Sequence, residues 1–210
     1  MRTRVKMCGF TRVEDAVLAA ELGVDAIGLV FYPPSPRHVS LAQAAAITQA
    51  LPAFVSVVAL FVDAAEAQIS EVLQSISIDC LQFHGDELPD ACSRYAKPYI
   101  KALRVQDDTD IVNFASRYGS ASGLLLDAYH PDAKGGTGQA FDWRLLPKQC
   151  ALPIILAGGL QPEVVKDAIR QYHPYALDVS SGVEAAKGIK DAAKMAAFLK
   201  EVNEIDRIII

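Results

Sequence analysis

The sequence predicts an α/β protein built as a single (β/α)8 barrel, or TIM barrel, over residues 1–210. Eight short apolar segments rich in β-branched residues recur about every 25 residues, as expected for consecutive βα units. The segments between them have the apolar periodicity of amphipathic helices. Eight such units can close a barrel, whereas the alternative, a doubly wound open sheet, usually has about five or six strands.

The predicted strands share short length and an apolar, β-branched composition. They are Arg4–Cys8, Ala26–Phe31, Val55–Val62, Cys80–Phe83, Tyr99–Ala102, Gly123–Asp127, Ile154–Ala157 and Ala176–Ser180. Several, such as Val55–Val62, are apolar on both faces, which is typical of parallel sheets covered by helices.

Helical periodicity is clearest in the first and last connecting segments. Apolar residues at positions 13, 16, 17 and 20, and again at 192, 195, 196, 199 and 202, form one stripe on each helix. The chain then ends in an unusually apolar segment, Ile205–Ile210. We expect this tail to pack either on the first helix or on a partner chain, and the sequence leaves self-association undetermined.

Composition and charge exclude several classes of protein. Hydrophobic residues make up 51% of the chain and charged residues 21%, which is incompatible with a disordered protein. The net charge of −5 and the absence of a Lys/Arg cluster argue against binding to nucleic acid or to an anionic membrane surface. No run of about 18 apolar residues predicts a membrane span, and the N-terminus does not resemble a signal peptide.

The cysteines point to a reducing compartment. Cys8, Cys80, Cys92 and Cys150 form no C-x-x-C pair and have no histidine at zinc-ligand spacing. We therefore expect free thiols, a cytoplasmic location, no bound metal and no cofactor.

In this architecture the chemistry lies where the strands end. Strand 1 ends at Cys8, and because side chains alternate along a strand, Lys6 and Cys8 point one way while Val5 and Met7 point towards the helices. Cys8 then faces the barrel mouth. A free cysteine is most often a small buried apolar residue, and a catalytic role needs a nearby cation to lower its pKa. Lys6 is a candidate for that cation unless it lies too deep.

Strand 6 ends at Asp127, which also faces inward by alternation. A carboxylate that closes an apolar strand is tolerated at the rim of a barrel, where it could act as a general acid. A helix cap or an ion pair explains it equally well.

Two loops predict a phosphate site. Gly158 and Gly159 follow strand 7, and Ser181 and Gly182 follow strand 8, where many barrels bind phosphate through backbone N–H groups. Each loop alone could be an ordinary tight turn, but the pair favours phosphate. After strand 6, the glycine-rich segment Gly135, Gly136, Thr137 and Gly138 suggests a mobile lid that excludes water.

Two further side chains stay ambiguous on the sequence alone. Arg37 follows a proline-rich loop and could bind a substrate carboxylate through its guanidinium group, or it could be an ordinary surface arginine. His84, after strand 4, could line the mouth or cap a loop.

Six ordered segments together resemble the phosphoribosylanthranilate isomerase family, and they span nearly the whole chain. They are Lys6-Met-Cys-Gly9, Ser35-Pro-Arg37, Gln82-Phe-His-Gly85, Leu126-Asp127 with Gly135-Gly-Thr-Gly138, Leu156-Ala-Gly-Gly159 and Leu177-Asp-Val-Ser-Ser-Gly-Val-Glu184. Met7 and Phe83 stand where the family often has Ile and Leu, and both are apolar replacements. The segment 128–134 is less similar to the family.

The resemblance implies an Amadori rearrangement of N-(5-phosphoribosyl)anthranilate in tryptophan biosynthesis. It implies that Asp127 is the general acid, that Cys8 as thiolate is the general base, and that Arg37 holds the anthranilate carboxylate. It assigns substrate binding, with the phosphate at the glycine loops, to a set of seven residues. These are Arg37, Gly158, Gly159, Asp178, Ser180, Ser181 and Gly182.

Two other functions compete with this one. The sister isomerase of histidine biosynthesis performs the same rearrangement on a bis-phosphate, but its family has a carboxylate where this chain has Cys8. A non-catalytic phosphate-binding barrel would need neither Cys8 nor Asp127.

Overall fold

A computed structural model of the protein describes residues 2–106, 108–128, 145–147 and 149–209. Eight parallel strands pair in chain order, and β8 pairs with β1 to close the barrel. The strands are β1 Arg4–Cys8, β2 Ala26–Val30, β3 Ser56–Phe61, β4 Cys80–Phe83, β5 Tyr99–Val105, β6 Gly123–Ala128, β7 Ile154–Leu156 and β8 Ala176–Val179. The predicted fold class is confirmed.

The helices of the described residues follow the strands along the chain. They are α1 Val13–Glu21, α2 Leu41–Ala50, α3 Glu66–Ser75, α4 Pro89–Ser93, α5 Ile111–Arg117, α6 Pro162–Tyr172 and α7 Ala192–Ile209. After β8 a 3₁₀ turn, Ser181–Val183, leads into a short antiparallel hairpin made of β9 Glu184–Ala186 and β10 Ile189–Lys190. The sequence pattern does not predict this hairpin.

Strand ends differ from the prediction by a few residues. The largest difference is β5, which continues beyond Ala102 to Val105. The extension pairs with β6 as far as Ala128, and the side chain of Val105 is buried in the main core. A polar residue inside this stretch, Arg104, interrupts the apolar run and hides the extension in the sequence.

Alternate residues of each strand enter different apolar clusters. Val5 and Met7 belong to the large core between strands and helices, together with Ala16 and Ala19 of α1. Cys8 instead packs in a small cluster at the inner face of the barrel, with Val30, Leu60 and Val62. The predicted alternation in β1 is therefore confirmed, and it places Cys8 inside the barrel.

Residues 205–209 of the apolar tail form the end of α7. Ile205 is buried in the main core, and α7 packs against α6 and α1. Asp206 accepts hydrogen bonds from Thr3 through the backbone nitrogen (2.7 Å) and the hydroxyl (2.8 Å), so the end of the helix is fixed to the start of β1. Ile205 therefore packs within the chain, whereas Ile208 is exposed, and packing of the tail on a partner chain stays a prediction.

Within the described part of the chain, no helix is long and apolar enough to cross a membrane.

Candidate active site

The carboxyl-terminal ends of the strands bring Cys8 and Asp127 into the barrel mouth. Both side chains are buried. Leu124 and Leu126 of β6 pack outward in the main core while Leu125 packs inward, so alternation turns Asp127 inward as predicted.

Cys8 lies in a confined, charged environment. Its Sγ fills the space left by Gly28 on the neighbouring strand: a Cβ added there would lie 2.5 Å from that sulfur. Burial raises the pKa of the Cys8 thiol, and the charge of Lys6 opposes this effect. The cation that a catalytic role for Cys8 needs is therefore present, but burial raises the pKa of the thiol more than Lys6 lowers it.

Lys6 and Asp178 form a buried ion pair one layer below the mouth. Lys6 Nζ donates to Asp178 Oδ1 at 2.8 Å, across the β1–β8 register that joins these two residues. Burial alone would lower the pKa of Lys6, but the charge of Asp178 reverses this and raises it, so the ammonium stays charged. Asp178, predicted to bind substrate, lies here against Lys6.

Asp127 has a histidine partner that the sequence left ambiguous. His84 Nε2 lies 3.2 Å from Asp127 Oδ2, and the His84 Nδ1 lies 3.0 Å from the amide nitrogen of Gln82. With the Gln82 amide donating to Nδ1, the proton of a neutral His84 ring lies on Nε2 and is donated to Asp127. His84 thus lines the mouth and orients the carboxyl group of Asp127.

Arg37 is buried and paired rather than exposed. Its Nε and Nη2 donate to the two carboxylate oxygens of Glu184 at 2.8 and 2.7 Å, a bidentate pair between the β2 loop and the hairpin. The side chain also crosses directly over Gly9, because a Cβ added to Gly9 would lie 2.4 Å from Arg37 Cδ. Arg37 is therefore held beside Cys8.

The hairpin contributes a second buried cation. Lys190 Nζ donates to Glu184 Oε1 at 3.0 Å and to the backbone oxygens of Cys8 and Ser180 at 2.6 and 3.2 Å. Ser180, a predicted substrate ligand, also donates its hydroxyl to the Cys8 oxygen at 3.0 Å. These bonds fix the loop after β8 to the end of β1.

A cavity of about 290 Å³ lies between the loops after β7 and β8. Gly159, Ser181 and Gly182 line it, together with Lys194 of α7 and Glu163 of α6. Gly158 and Gly159 have φ of 77° and 67°, in the left-handed region that favours glycine. The predicted phosphate loops therefore do enclose one space.

The N-terminus of α6 lies at this cavity, which Pro162 and Glu163 line. The first turn of α6 begins at Pro162, and the residue before it makes no side-chain capping hydrogen bond. Pro162 has no N–H, and the N–H groups of Val164 and Val165 donate to Gln161 O, so what favours an anion here is chiefly the positive end of the helix dipole. Lys194 adds a full positive charge.

The predicted lid residues Gly135, Gly136, Thr137 and Gly138 lie outside the described residues. Among the residues that the structure does describe, no group of three or more His, Cys, Asp or Glu side chains is placed to hold a metal ion.

The sequence does not predict two partners of the predicted site residues, Glu184 and Lys190, and it leaves a third, His84, ambiguous. Glu184 and Lys190 could not be assigned, because the hairpin that brings them to Arg37 and Cys8 is too short, at seven residues, to leave a strong pattern. His84 was recognisable in part, since alternation in and beyond β4 turns residues 80, 82 and 84 the same way.

The fold and this site together define a barrel enzyme, with a cavity of about 290 Å³ between the loops after β7 and β8 and with buried thiol, carboxyl and guanidinium groups at the mouth. Comparison with known proteins identifies the family. The family model for N-(5′-phosphoribosyl)anthranilate (PRA) isomerase matches residues 5–201, and the chain belongs to this family. The prediction made from the sequence is confirmed.

Similar proteins cover the whole barrel. The N-(5′-phosphoribosyl)anthranilate isomerase of Nitrosococcus oceani is 56% identical over 206 residues, which is 98% of this chain and 100% of the relative. That of Azotobacter vinelandii is 57% identical, covering 95% and 97%. The crystal structure of phosphoribosyl anthranilate isomerase from Thermotoga maritima has a TM-score of 0.88 at 38% identity, covering 96% and 99%.

One solved relative carries a ligand. It is a phosphoribosyl anthranilate isomerase in complex with reduced 1-(o-carboxyphenylamino)-1-deoxyribulose 5-phosphate, with a TM-score of 0.85 at 37% identity, covering 96% of this chain and 99% of the relative.

Proposed function

We propose that this protein, as one catalytic domain over residues 1–210, isomerises N-(5′-phosphoribosyl)anthranilate to 1-(2-carboxyphenylamino)-1-deoxyribulose 5-phosphate in tryptophan biosynthesis. The observation that carries the proposal is the placing of Cys8 and Asp127, from β1 and β6, in one buried mouth beside the cavity at Gly159 and Gly182. The ligand named for the solved relative has the same three parts as this substrate class: a carboxyphenyl group, an open sugar and a phosphate.

In the first step, Asp127 acts as the general acid. It gives its proton to the furanose ring oxygen, the C1′–O bond breaks with its electron pair leaving on oxygen, and the nitrogen lone pair forms a C1′=N bond. The histidine at 3.2 Å keeps the Asp127 carboxyl group in one orientation and stabilises the carboxylate that this step produces.

In the second step, Cys8 acts as the general base. Its thiolate takes the C2′ proton and becomes a thiol, the C–H electron pair forms a C1′=C2′ bond, and the iminium π pair returns to nitrogen. The enol then becomes the ketone as O2′ loses a proton and C1′ gains one. Each step needs only one acid or base, so we propose no metal or cofactor.

Arg37 binds the anthranilate carboxylate in this proposal. Glu184 occupies the Nε and Nη2 edge of its guanidinium group, and Nη1 has no hydrogen bond to any residue within the described ranges. The pair with Glu184 therefore orients the guanidinium group of Arg37 and leaves some of its N–H donors for a substrate. Glycine N–H groups after β7 and β8 hold the phosphate, and Ser180 and Ser181 position the second of these loops.

The test is turnover of freshly generated phosphoribosylanthranilate, followed by anthranilate fluorescence, for the wild type and three variants. We expect Cys8→Ser to lose kcat with little change in KM, because proton transfer and not binding is removed. Asp127→Asn should nearly abolish turnover with the fold intact. Cys80→Ser is the matched control, since Cys80 also faces the barrel interior but at the start of β4.

Each result has a definite meaning. Turnover by the wild type and by Cys80→Ser, with near-loss in the other two variants, supports both the reaction and the roles. If Cys8→Ser changed KM alone, Cys8 would be a contact residue and not the base. If the correctly folded wild type did not turn over the substrate, the proposed reaction would be wrong.

A further inference from the structure

Cys8 is surrounded by more charged groups than a two-residue acid–base mechanism needs. Four charged groups act on it directly: Lys6 on β1, Asp178 on β8, Arg37 in the loop after β2 and Lys190 on the hairpin. Three more surround these: Glu184 pairs with Arg37 and Lys190, while His84 after β4 and Asp127 on β6 act on Asp178.

Two of the cations are committed elsewhere. Arg37 makes a bidentate pair with Glu184, and Lys190 makes three hydrogen bonds, one of them to the same carboxylate. Burial lowers the pKa of Lys190, although Glu184 opposes this. Lys6 is also paired, but its charge lowers the pKa of the Cys8 thiol more than that of Lys190 does.

Lys6 lies directly beside the Cys8 sulfur. Gly28 has no side chain, and the space left there is shared by the thiol and the ammonium group: a Cβ on Gly28 would lie 2.5 Å from Cys8 Sγ and 3.0 Å from Lys6 Nζ. The sulfur and the ammonium are thus neighbours across the absent side chain. Lys6 cannot move away to solvent, because it is buried and donates at 2.8 Å to a buried Asp178.

We propose that Lys6 is the positioning residue that stabilises the Cys8 thiolate, and that Asp178 holds Lys6 in place and acts on Cys8 through its own charge, not by touching substrate. This inference rests on the proposed role of Cys8 as the base. An unpaired charge at the centre of the barrel would be strongly destabilising, and the proposal explains why a lysine is nevertheless buried there together with Asp178.

The two partners act on Cys8 with opposite signs. The charge of Lys6 lowers the pKa of the Cys8 thiol, and the charge of Asp178 raises it. An opposite charge within about 4–6 Å moves a pKa by about one to three units. Removing the cation should therefore make the thiolate rarer at neutral pH, and removing the anion should make it commoner. Loss of packing alone would not produce opposite shifts.

The experiment measures the pH dependence of Cys8 alkylation by iodoacetamide, read at each cysteine by peptide mass spectrometry. The midpoint of the curve reports the thiolate, while accessibility scales the rate without moving the midpoint. We expect Lys6→Met to raise the midpoint by about one to three pH units and to slow labelling at pH 7.5 at least about tenfold. Asp178→Asn should lower the midpoint.

Cys92 serves as an internal control in the same samples. It is buried on the outer side of the sheet, and Lys6 is not among the groups that shift its pKa. Its labelling curve should stay unchanged in folded Lys6→Met.

Unchanged Cys8 midpoints in both variants, or shifts in the same direction, would overturn the proposal. If Lys6→Met does not fold, Asp178→Asn decides: a lower midpoint supports the proposal, and an unchanged or higher midpoint overturns it. The readout needs no substrate, so failure of the proposed isomerase activity would be seen separately, in the turnover of the wild type.

Discussion

A single added methyl group at Gly182 tests whether the two loops form the phosphate site. In Gly182→Ala the new Cβ would lie 1.9 Å from the backbone oxygen of Leu160 and 3.3 Å from Val179 Cγ2. A backbone oxygen cannot rotate away as a side chain can, so the loops after β7 and β8 must separate by about 1 Å. A misplacement of about that size can cost about a hundredfold in rate, and overpacking typically costs about 1–3 kcal/mol of stability.

We expect Gly182→Ala to remain folded, with kcat/KM reduced about tenfold to a hundredfold, mostly through KM, and with weaker competitive inhibition by inorganic phosphate. Gly119→Ala is the matched control, because its added Cβ meets nothing closer than Ser116 O at 3.8 Å. Steady-state fluorescence assays and thermal unfolding of the three proteins provide the comparison. A folded Gly182→Ala with an unchanged phosphate inhibition constant would refute the assignment of the site.

Three further changes separate orientation, pH dependence and stability. His84→Gln should lower kcat about tenfold to a hundredfold in the turnover assay, because the hydrogen bond to the buried Asp127 carboxyl group is lost; an unaltered kcat would contradict this role. Burial alone would raise the pKa of Glu184, but the hydrogen bond from Arg37 and the charge of Lys190 lower it overall. Its contribution to stability is thus present above its unfolded pKa and lost as pH falls through the folded value, so the Tm gap between wild type and Glu184→Gln should close as pH falls from 7 to below 4. Asp206→Ala should lose about 1–3 kcal/mol in urea unfolding while kcat/KM stays at the wild-type value, since Asp206 lies at the opposite end of the barrel.

The barrel was predictable because each strand has a local signal. A parallel strand covered by helices must be apolar on both faces, and segments such as Val57–Phe61 show this directly in the sequence. The helical segment between each two strands indicates that consecutive strands lie parallel and side by side. Eight such units can close into a barrel, in which no strand has an exposed edge.

The partners of the site residues were not predictable in the same way. The pair between Lys6 and Asp178 joins residues 172 positions apart, and it follows only from the register of the closing strands. The pair between Arg37 and Glu184 needs the hairpin after β8, which is too short to leave a periodic pattern. Sequence reasoning identified residues that face the mouth, but the charges that act on them depend on long-range pairing.

In the proposed mechanism, those charges decide how much of the enzyme has Asp127 protonated and Cys8 as thiolate. A carboxylic acid ordinarily ionises at lower pH than a thiol, so a carboxylate with a thiol is the ordinary state of such a pair. The proposed mechanism needs the reverse, Asp127 protonated and Cys8 as thiolate, and the two states carry the same number of protons. Burial of Cys8 favours the ordinary state, and the ammonium of Lys6 favours the working one. Because the rate follows the population of the working form, residues that never touch the substrate can set it as strongly as the acid and the base themselves.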